Sequence, residues 1–354
     1  MARVAPVAVC VARVPLDQMH TGITAFWSSA RRWCERLCLA VSFALASTIA
    51  VAQGSFPFKP IRVVFPFPPG GGVDIIGRPV CEEVAKVLGQ PLVIENRGGS
   101  NGVIRADIVA RAAPDGYTLL VHTMFSHLTN GSLYPKLPYD TERDFAPISL
   151  IGSVSMVLVA HPSFPAKSVA ELIALAKEKP GQFSYVSFGS GSGAHLGGEL
   201  FKLMAGIDLV HVPYKGGGPA IADTIAGHVL LHFAGIATAA PHIKSGKLNA
   251  LAMTSARRSS FMPNIPTMRE AGLRDYEAVV VFGAMAPAGT PRDIVKTLEG
   301  AFVKALATPE LRQRLIGQGN EGPFGSTAEE MAAFIKSEIP KWARVVKDSG
   351  AKVD

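Results

Sequence analysis

The chain has 354 residues, of which 48% are hydrophobic and 18% charged, enough apolar material to bury one or two substantial cores. Wholesale disorder is excluded. The formal net charge is +7, but beyond residue 52 Lys and Arg are scattered with no basic block or aromatic interleaving, so a nucleic-acid surface has little support.

The first element is a leader. Arg31-Arg32-Trp33-Cys34-Glu35-Arg36 supplies a basic run, residues 37–51 form an uncharged apolar stretch, and Ala50-Val51-Ala52 has the small-x-small pattern that a signal peptidase cleaves. Cleavage is expected after Ala52, with an exported, periplasmic product. The stretch is shorter than the roughly 20 residues of a comfortable membrane span. No cysteine closes the cleavage site, against a lipoprotein. Residues 1–30 are long for the start of a leader, and Met19 offers a more ordinary beginning.

Loss of residues 1–52 removes Cys10, Cys34 and Cys38, leaving Cys81 as a packed thiol with no disulfide partner in the same chain. It also takes five basic residues (Arg3, Arg13, Arg31, Arg32, Arg36) and two acids (Asp17, Glu35) from totals of 35 and 28, leaving 30 and 26. The remaining +4 is a weak field that favours anionic ligands.

From Pro60 onward, short β-rich runs alternate with helical patterns: strand 61–65, helix 74–88, strand 92–96, helix 103–112 and strand 118–122. The strands are continuous apolar runs, as when helices cover both faces, which predicts a mainly parallel sheet. A turn flanked by His122 and His127 follows the third strand. An apolar run over 148–160 reads as a strand leaving this first lobe, with a crossing near Ser153. A second α/β set follows: helix 168–178, strand 184–188, helix 195–205, strand 209–212, helix 219–226 and strand 229–233. Another apolar run, 278–286, crosses back, and helices 292–307, 309–318 and 328–346 return to the first lobe. The expected organisation is therefore lobe 1 over 53–153 plus 279–354, lobe 2 over 154–278, and two crossing strands as a hinge.

Each lobe carries the same device. Phe65-Pro66-Phe67-Pro68-Pro69-Gly70-Gly71-Gly72 and Val212-Pro213-Tyr214-Lys215-Gly216-Gly217-Gly218 both run from a strand through an aromatic residue and three glycines into a helix. Glycine lets a ligand approach the backbone, and the helix start offers unpaired N–H groups at a positive dipole end. Ser187-Phe188-Gly189-Ser190-Gly191-Ser192-Gly193 is a third such turn, with hydroxyls added. At the carboxyl ends of strands in two facing lobes, these turns would line one crevice suited to an acid group.

Enzyme patterns fail. Gly189 to Ala194 fits G-x-G-x-x-A, but Asp208 precedes the next strand rather than ending it; no G-x-S-x-G, phosphate-loop lysine or H-E-x-x-H is present. His228 and His232 are four apart on a strand, too far for a shared metal. His122, His127 and His195 read either as packed imidazoles or as ligand contacts. No catalytic residue, metal or cofactor is assigned.

The motifs resemble the Bug family, the extracytoplasmic solute receptors of tripartite tricarboxylate transporters. The resemblance rests on Lys59 to Val64 running into Phe67-Pro68-Pro69-Gly70-Gly71, on Glu95-Asn96-Arg97, on Ala113-Pro114-Asp115-Gly116-Tyr117, and on Leu137-Pro138-Tyr139-Asp140. His211-Val212-Pro213-Tyr214-Lys215-Gly216, Pro241 to Leu248 and Ala286-Pro287-Ala288-Gly289-Thr290-Pro291 complete it. It implies a type II periplasmic-binding-protein fold and a small carboxylate held mainly by backbone N–H groups. It also implies delivery to membrane permease components by a monomeric receptor. By position, the implied site comprises Phe67, Gly71, Gly72, Val73 and Asp74, then Thr123, Ser126 and His127. The second lobe adds Ser187, Gly189, Ser192, His195, Tyr214, Gly216, Gly217, Gly218 and Ala234.

Three departures stand out against the family pattern. Ala234 replaces the usual Asp of Phe-Asp-Asn, Met124-Phe125 replaces small residues, and Gly72-Val73 replaces Ala-Thr. These imply a more apolar pocket and a larger or less polar acid than a short dicarboxylate. An α/β enzyme acting on a carboxylic acid in the same cleft, or a sensory receptor, is the alternative reading.

Overall fold

The computed structural model describes residues 56–96 and 98–353. The leader and its cleavage site lie outside the described residues. Among the described residues nine strands form one sheet in the spatial order Leu92–Asn96, Ile61–Phe65, Thr118–Thr123, Val279–Pro287, Phe145–Ala160, Leu231–Gly235, Ser184–Ser187 and Val210–Pro213, with Asn249–Met253 also paired to Phe145–Ala160.

Strand β1 (Ile61–Phe65) is the buried run predicted and pairs in parallel with β2 (Leu92–Asn96) and β3 (Thr118–Thr123). Between them lie α1 (Gly72–Leu88) and α2 (Val103–Ala110). In the second set, β5 (Ser184–Ser187) pairs in parallel with β6 (Val210–Pro213) and β7 (Leu231–Gly235). Helices α4 (Val169–Glu178), α5 (Gly193–Ala205) and α6 (Gly217–Ile225) connect this set.

The sheet is mixed rather than mainly parallel. The cause is two long strands, β4 (Phe145–Ala160) and β9 (Val279–Pro287), which run antiparallel to each other and to their other neighbours. β4 is 16 residues long, which at about 3.3 Å per residue spans roughly 50 Å. Its first part pairs with β9 as far as Ser155, and from Met156 onward it pairs with β7 and β8 (Asn249–Met253). One strand thus belongs to both α/β sets. Register shifts between Pro147/Ser149 and Leu150/Gly152 bend it. At that bend Asn320 Oδ1 accepts the N–H groups of Ser153 at 3.1 Å and Gly322 at 3.0 Å.

Further differences are local. The segment after β3 is a helix, α3 (Met124–Leu133), not a turn, because eight of its residues are buried, including polar Ser126, His127, Thr129 and Asn130. Burial by tertiary contacts hid the 3.6-residue apolar period that would have announced it. Helix α7 (Ile236–Lys244) and β8 had no predicted counterpart. His228 lies outside β7, whereas His232 lies within it and is buried.

The last three helices are α8 (Arg292–Leu306), α9 (Pro309–Gly317) and α10 (Ala328–Ser349). α8 packs on α1 and β4, whereas α10 packs on α3, β4 and α5. A capping box between Thr327 and Glu330 starts α10. The main apolar cluster is continuous through both sets, from Val64 and Leu120 through Met156 and Val281 to Tyr185 and Phe233.

Candidate functional site

Strand β1 delivers the chain to a turn in which Gly70 takes φ +76 and Gly71 caps α1 without a side-chain hydrogen bond. Ile75 N–H donates to Gly71 O at 2.9 Å, so Gly72, Val73 and Asp74 hold the three N–H groups for which the helix has no acceptor. The Asp74 carboxylate serves the turn itself. Its Oδ2 accepts from Gly70 N–H at 3.0 Å, and its Oδ1 accepts from Arg78 at 2.5 Å and Asn96 Nδ2 at 2.9 Å. Burial raises its pKa, but those donors outweigh burial and hold it below the usual carboxylate value. The Asp74 side chain is therefore committed to the turn, and its N–H is left without a helical acceptor.

The third strand ends in a polar network. Thr123 Oγ1 donates to Ser126 Oγ at 3.1 Å, and Ser126 Oγ donates to Asn101 Oδ1 at 2.9 Å. Phe67 stands edge-on to His122, ring centroids 5.5 Å apart, which ties this network to the first turn. His127 is fully buried, and its Nε2 donates to Thr141 O at 2.7 Å. Burial lowers its pKa to about 4, so the ring is neutral and structural. His122 is also fully buried, with its pKa well below the ordinary value for the same reason and with the neighbouring His127 adding to it.

The serine-glycine turn is held from within. Ser187 Oγ is 2.7 Å from His211 Nε2 and also accepts from Gly189 N–H at 3.1 Å. Ser192 caps α5 by accepting from His195 N–H, and its hydroxyl donates to Gly189 O at 2.6 Å. His195 Nδ1 accepts from Gly191 N–H at 3.0 Å. The hydroxyls expected to meet a ligand are thus engaged in shaping the loop, leaving the N–H groups of Gly193 and Ala194 without helical acceptors.

Tyr214 N–H donates to Ser187 O at 3.1 Å, joining this turn to the next. Tyr214 Oη donates to Asp223 Oδ2 at 2.7 Å. Gly216, at φ +108, caps α6 without a side-chain hydrogen bond, and the Cα of Gly216, Gly217 and Gly218 face open space. Gly217 and Gly218 present the free N–H groups here; Pro219, next in the helix, has none.

Of the residues singled out from sequence, all but His127, buried within α3, and Ala234 fall in this connected series of turns. Ala234 sits in an apolar cluster with Val157, Val159, Ile221 and Ile236. Met124 and Phe125 are likewise core residues, the latter packed on Trp342 with centroids 4.3 Å apart. Met124 and Phe125 nevertheless line a cavity with Leu128, Val279, Val281 and Trp342, so of these positions Ala234 alone is withdrawn from the argument for a more apolar pocket. The residue missed is Asn101, at φ 48 in the turn Gly98-Gly99-Ser100-Asn101-Gly102. Asparagine's tolerance of the left-handed region was the available signal. Among the described residues no cluster of His, Cys, Asp and Glu could hold a metal, and no helix is long and apolar enough to cross a membrane.

Two α/β lobes sharing long antiparallel strands, with helix starts open to an anion, define a solute-binding receptor. The sequence matches the tripartite tricarboxylate transporter family receptor over residues 76–351. The chain belongs to that family, whose members are periplasmic solute-binding receptors and not enzymes. It is 39% identical over 304 residues to protein BugT of Bordetella pertussis, covering 86% of this chain and 93% of that one. A Rhodopseudomonas palustris structure with adipate is 34% identical with a TM-score of 0.76, covering 85% of this chain and all of that one. MatC from the same species, with bound malate, is 34% identical with a TM-score of 0.74, covering 82% of this chain and all of that one.

Proposed function

We propose that this receptor captures a small carboxylate in the periplasm and presents it to the membrane components of a tripartite tricarboxylate-type transporter. The observation that carries this reading is the row of uncapped helix starts. α1 and α6 begin at glycines with no side-chain cap, so their N–H groups are free to hold an oxyanion. Neighbouring structures with adipate and malate support a carboxylate rather than a phosphate or sugar.

The lobes are 53–153 plus 279–354 and 154–278, and the ligand closes them about β4 and β9. The contacts are backbone donors at Gly72, Val73 and Asp74, and at Gly217 and Gly218. Phe67, Gly71, Thr123, Ser126, Ser187, Gly189, Ser192, His195, Tyr214 and Gly216 shape the surrounding turns. With Ala234 committed to the core, a short dicarboxylate and a six-carbon one are both admissible. Delivery to a transporter is favoured over sensing by the family relationship.

The test is a thermal-shift screen of residues 53–354, refolded to strip bound solute, against mono-, di- and tricarboxylates, amino acids and aromatic acids. A ligand that binds the folded form alone raises the melting temperature as its concentration passes Kd. A saturable shift with an acid recovered unaltered is the expected result. No shift with any carboxylate would overturn the reading.

A further inference from the structure

Asn101 lies on the turn before α2, in the first α/β set, and its side chain reaches the serine-glycine turn of the second. Its Oδ1 accepts from Ser126 Oγ at 2.9 Å, and its Nδ2 donates to Asn130 Oδ1 at 2.9 Å. Asn130 Nδ2 returns a bond to Asn101 O at 3.3 Å. The two side-chain bonds fix the amide plane, the Asn130 bond to the Asn101 carbonyl anchors its backbone, and the second Nδ2 hydrogen is directed to Gly191 O at 3.4 Å. The residue adopts φ 48, ψ 33, the left-handed region that asparagine tolerates better than other side-chain-bearing residues.

Gly191 is shaped to receive it. It takes φ +76, and a Cβ there would lie 3.0 Å from Asn101 Nδ2, 3.0 Å from Val353 Cγ1 and 3.1 Å from Leu133 Cδ1. All three neighbours come from outside the second α/β set. Its N–H is meanwhile held by His195 Nδ1. The Gly191 residue is therefore gripped on one side by its own lobe and on the other by Asn101.

From this contact, seen both in the hydrogen bond and in the tight fit of Gly191, we infer that Asn101 is a positioning residue for solute capture: its amide latches the two lobes together through Gly191 O and favours the closed arrangement. This rests on the two-lobed receptor reading but not on which acid is bound. The latch acts through hinge geometry, because a bond made only when the lobes meet shifts the open–closed equilibrium by its own free energy. It makes no demand on ligand chemistry.

Asn101→Asp separates the latch from the local network. Aspartate also tolerates the left-handed region, still accepts from Ser126, and can accept from a rotated Asn130 amide, but it has no hydrogen to give Gly191 O. Gly191→Ala attacks the same contact from the other side, by placing a methyl group where the lobes touch. The measurement is the distance distribution between nitroxides at Lys86→Cys and Lys177→Cys, both exposed, in refolded ligand-free protein; Cys81 is buried and unlabelled. Longer separations are expected in both variants relative to the parent, with melting temperature monitored in parallel. Adipate and malate, as probes, should dissociate faster from Asn101→Asp wherever the parent binds them. Unchanged distances in whichever of the two variants keeps the parental melting temperature would overturn the latch. Because the distances are read without ligand, failure of the carboxylate proposal leaves this result interpretable.

Discussion

The imidazole rings of His195 and His211 lie face to face, with centroids 3.8 Å apart and planes inclined by 11°. The pair joins the serine-glycine turn to β6: His195 Nδ1 holds Gly191 N–H, and His211 Nε2 meets Ser187 Oγ. Burial pushes His211 down to about 3, helped by the adjacent His195 and Lys202. A neutral His211 is therefore part of the folded loop.

The histidines give the protein an acid-side weakness. His127 and His232 are lowered to about 4 and His122 well below its ordinary value, in each case chiefly by burial. A histidine depressed in the fold stabilises it fully above the unfolded pKa of about 6.5 and progressively less as pH falls toward the folded pKa. In that window each such group removes about 1.4 kcal/mol per pH unit. The melting temperature should therefore fall steadily from pH 7 to pH 4.5. A flat profile in calorimetry over that range would contradict the burial of these rings.

Gly217→Val tests the second-lobe donors with little structural penalty, because nothing lies within 4 Å of a Cβ at this position and its φ is not left-handed. Its side chain would cover the α6 start. Affinity for a bound carboxylate should drop at least about tenfold, a loss of about 1.4 kcal/mol, while the melting temperature stays near that of the parent. Gly71→Val should weaken binding as well, but with some cost in stability, since its Cβ would sit 3.3 Å from Pro68 O. Isothermal titration of both variants with an acid found in the screen decides the matter; parental affinity in either removes that turn from the site.

Gly198→Ala should leave the ligand turns in place but strain the core beneath them. A Cβ there would fall 2.3 Å from the Tyr185 ring, and Tyr185 is fixed by its hydroxyl, 2.8 Å from Glu199 Oε1. Overpacking of this kind costs about 1–3 kcal/mol. Urea denaturation should show the loss as a lower midpoint with an unchanged slope, and a parental midpoint would place Tyr185 elsewhere.

Cleavage after Ala52 predicts a mature chain that begins at Gln53. Intact-mass measurement of protein from the periplasmic fraction should give that terminus; retention of residues 19–52 would contradict it.

The sequence by itself determined the alternation of strands and helices, the three glycine turns and the two apolar runs that became β4 and β9. These depend on local chemistry: β-branched runs, helix-starting glycines and proline punctuation act within a few residues. Tertiary structure decided strand direction, since whether a run such as 278–286 pairs parallel or antiparallel depends on partners more than a hundred residues away, as in Phe145↔Pro287. It also decided which side chains face the site. Ala234 and Phe233 are neighbours on a strand whose alternate faces meet different apolar clusters, and no local pattern says which face lies over the cleft. Asn101 became visible for the same reason: its partner, Gly191, is ninety residues away, and only folding brings a donor and an acceptor so far apart in sequence within reach of each other.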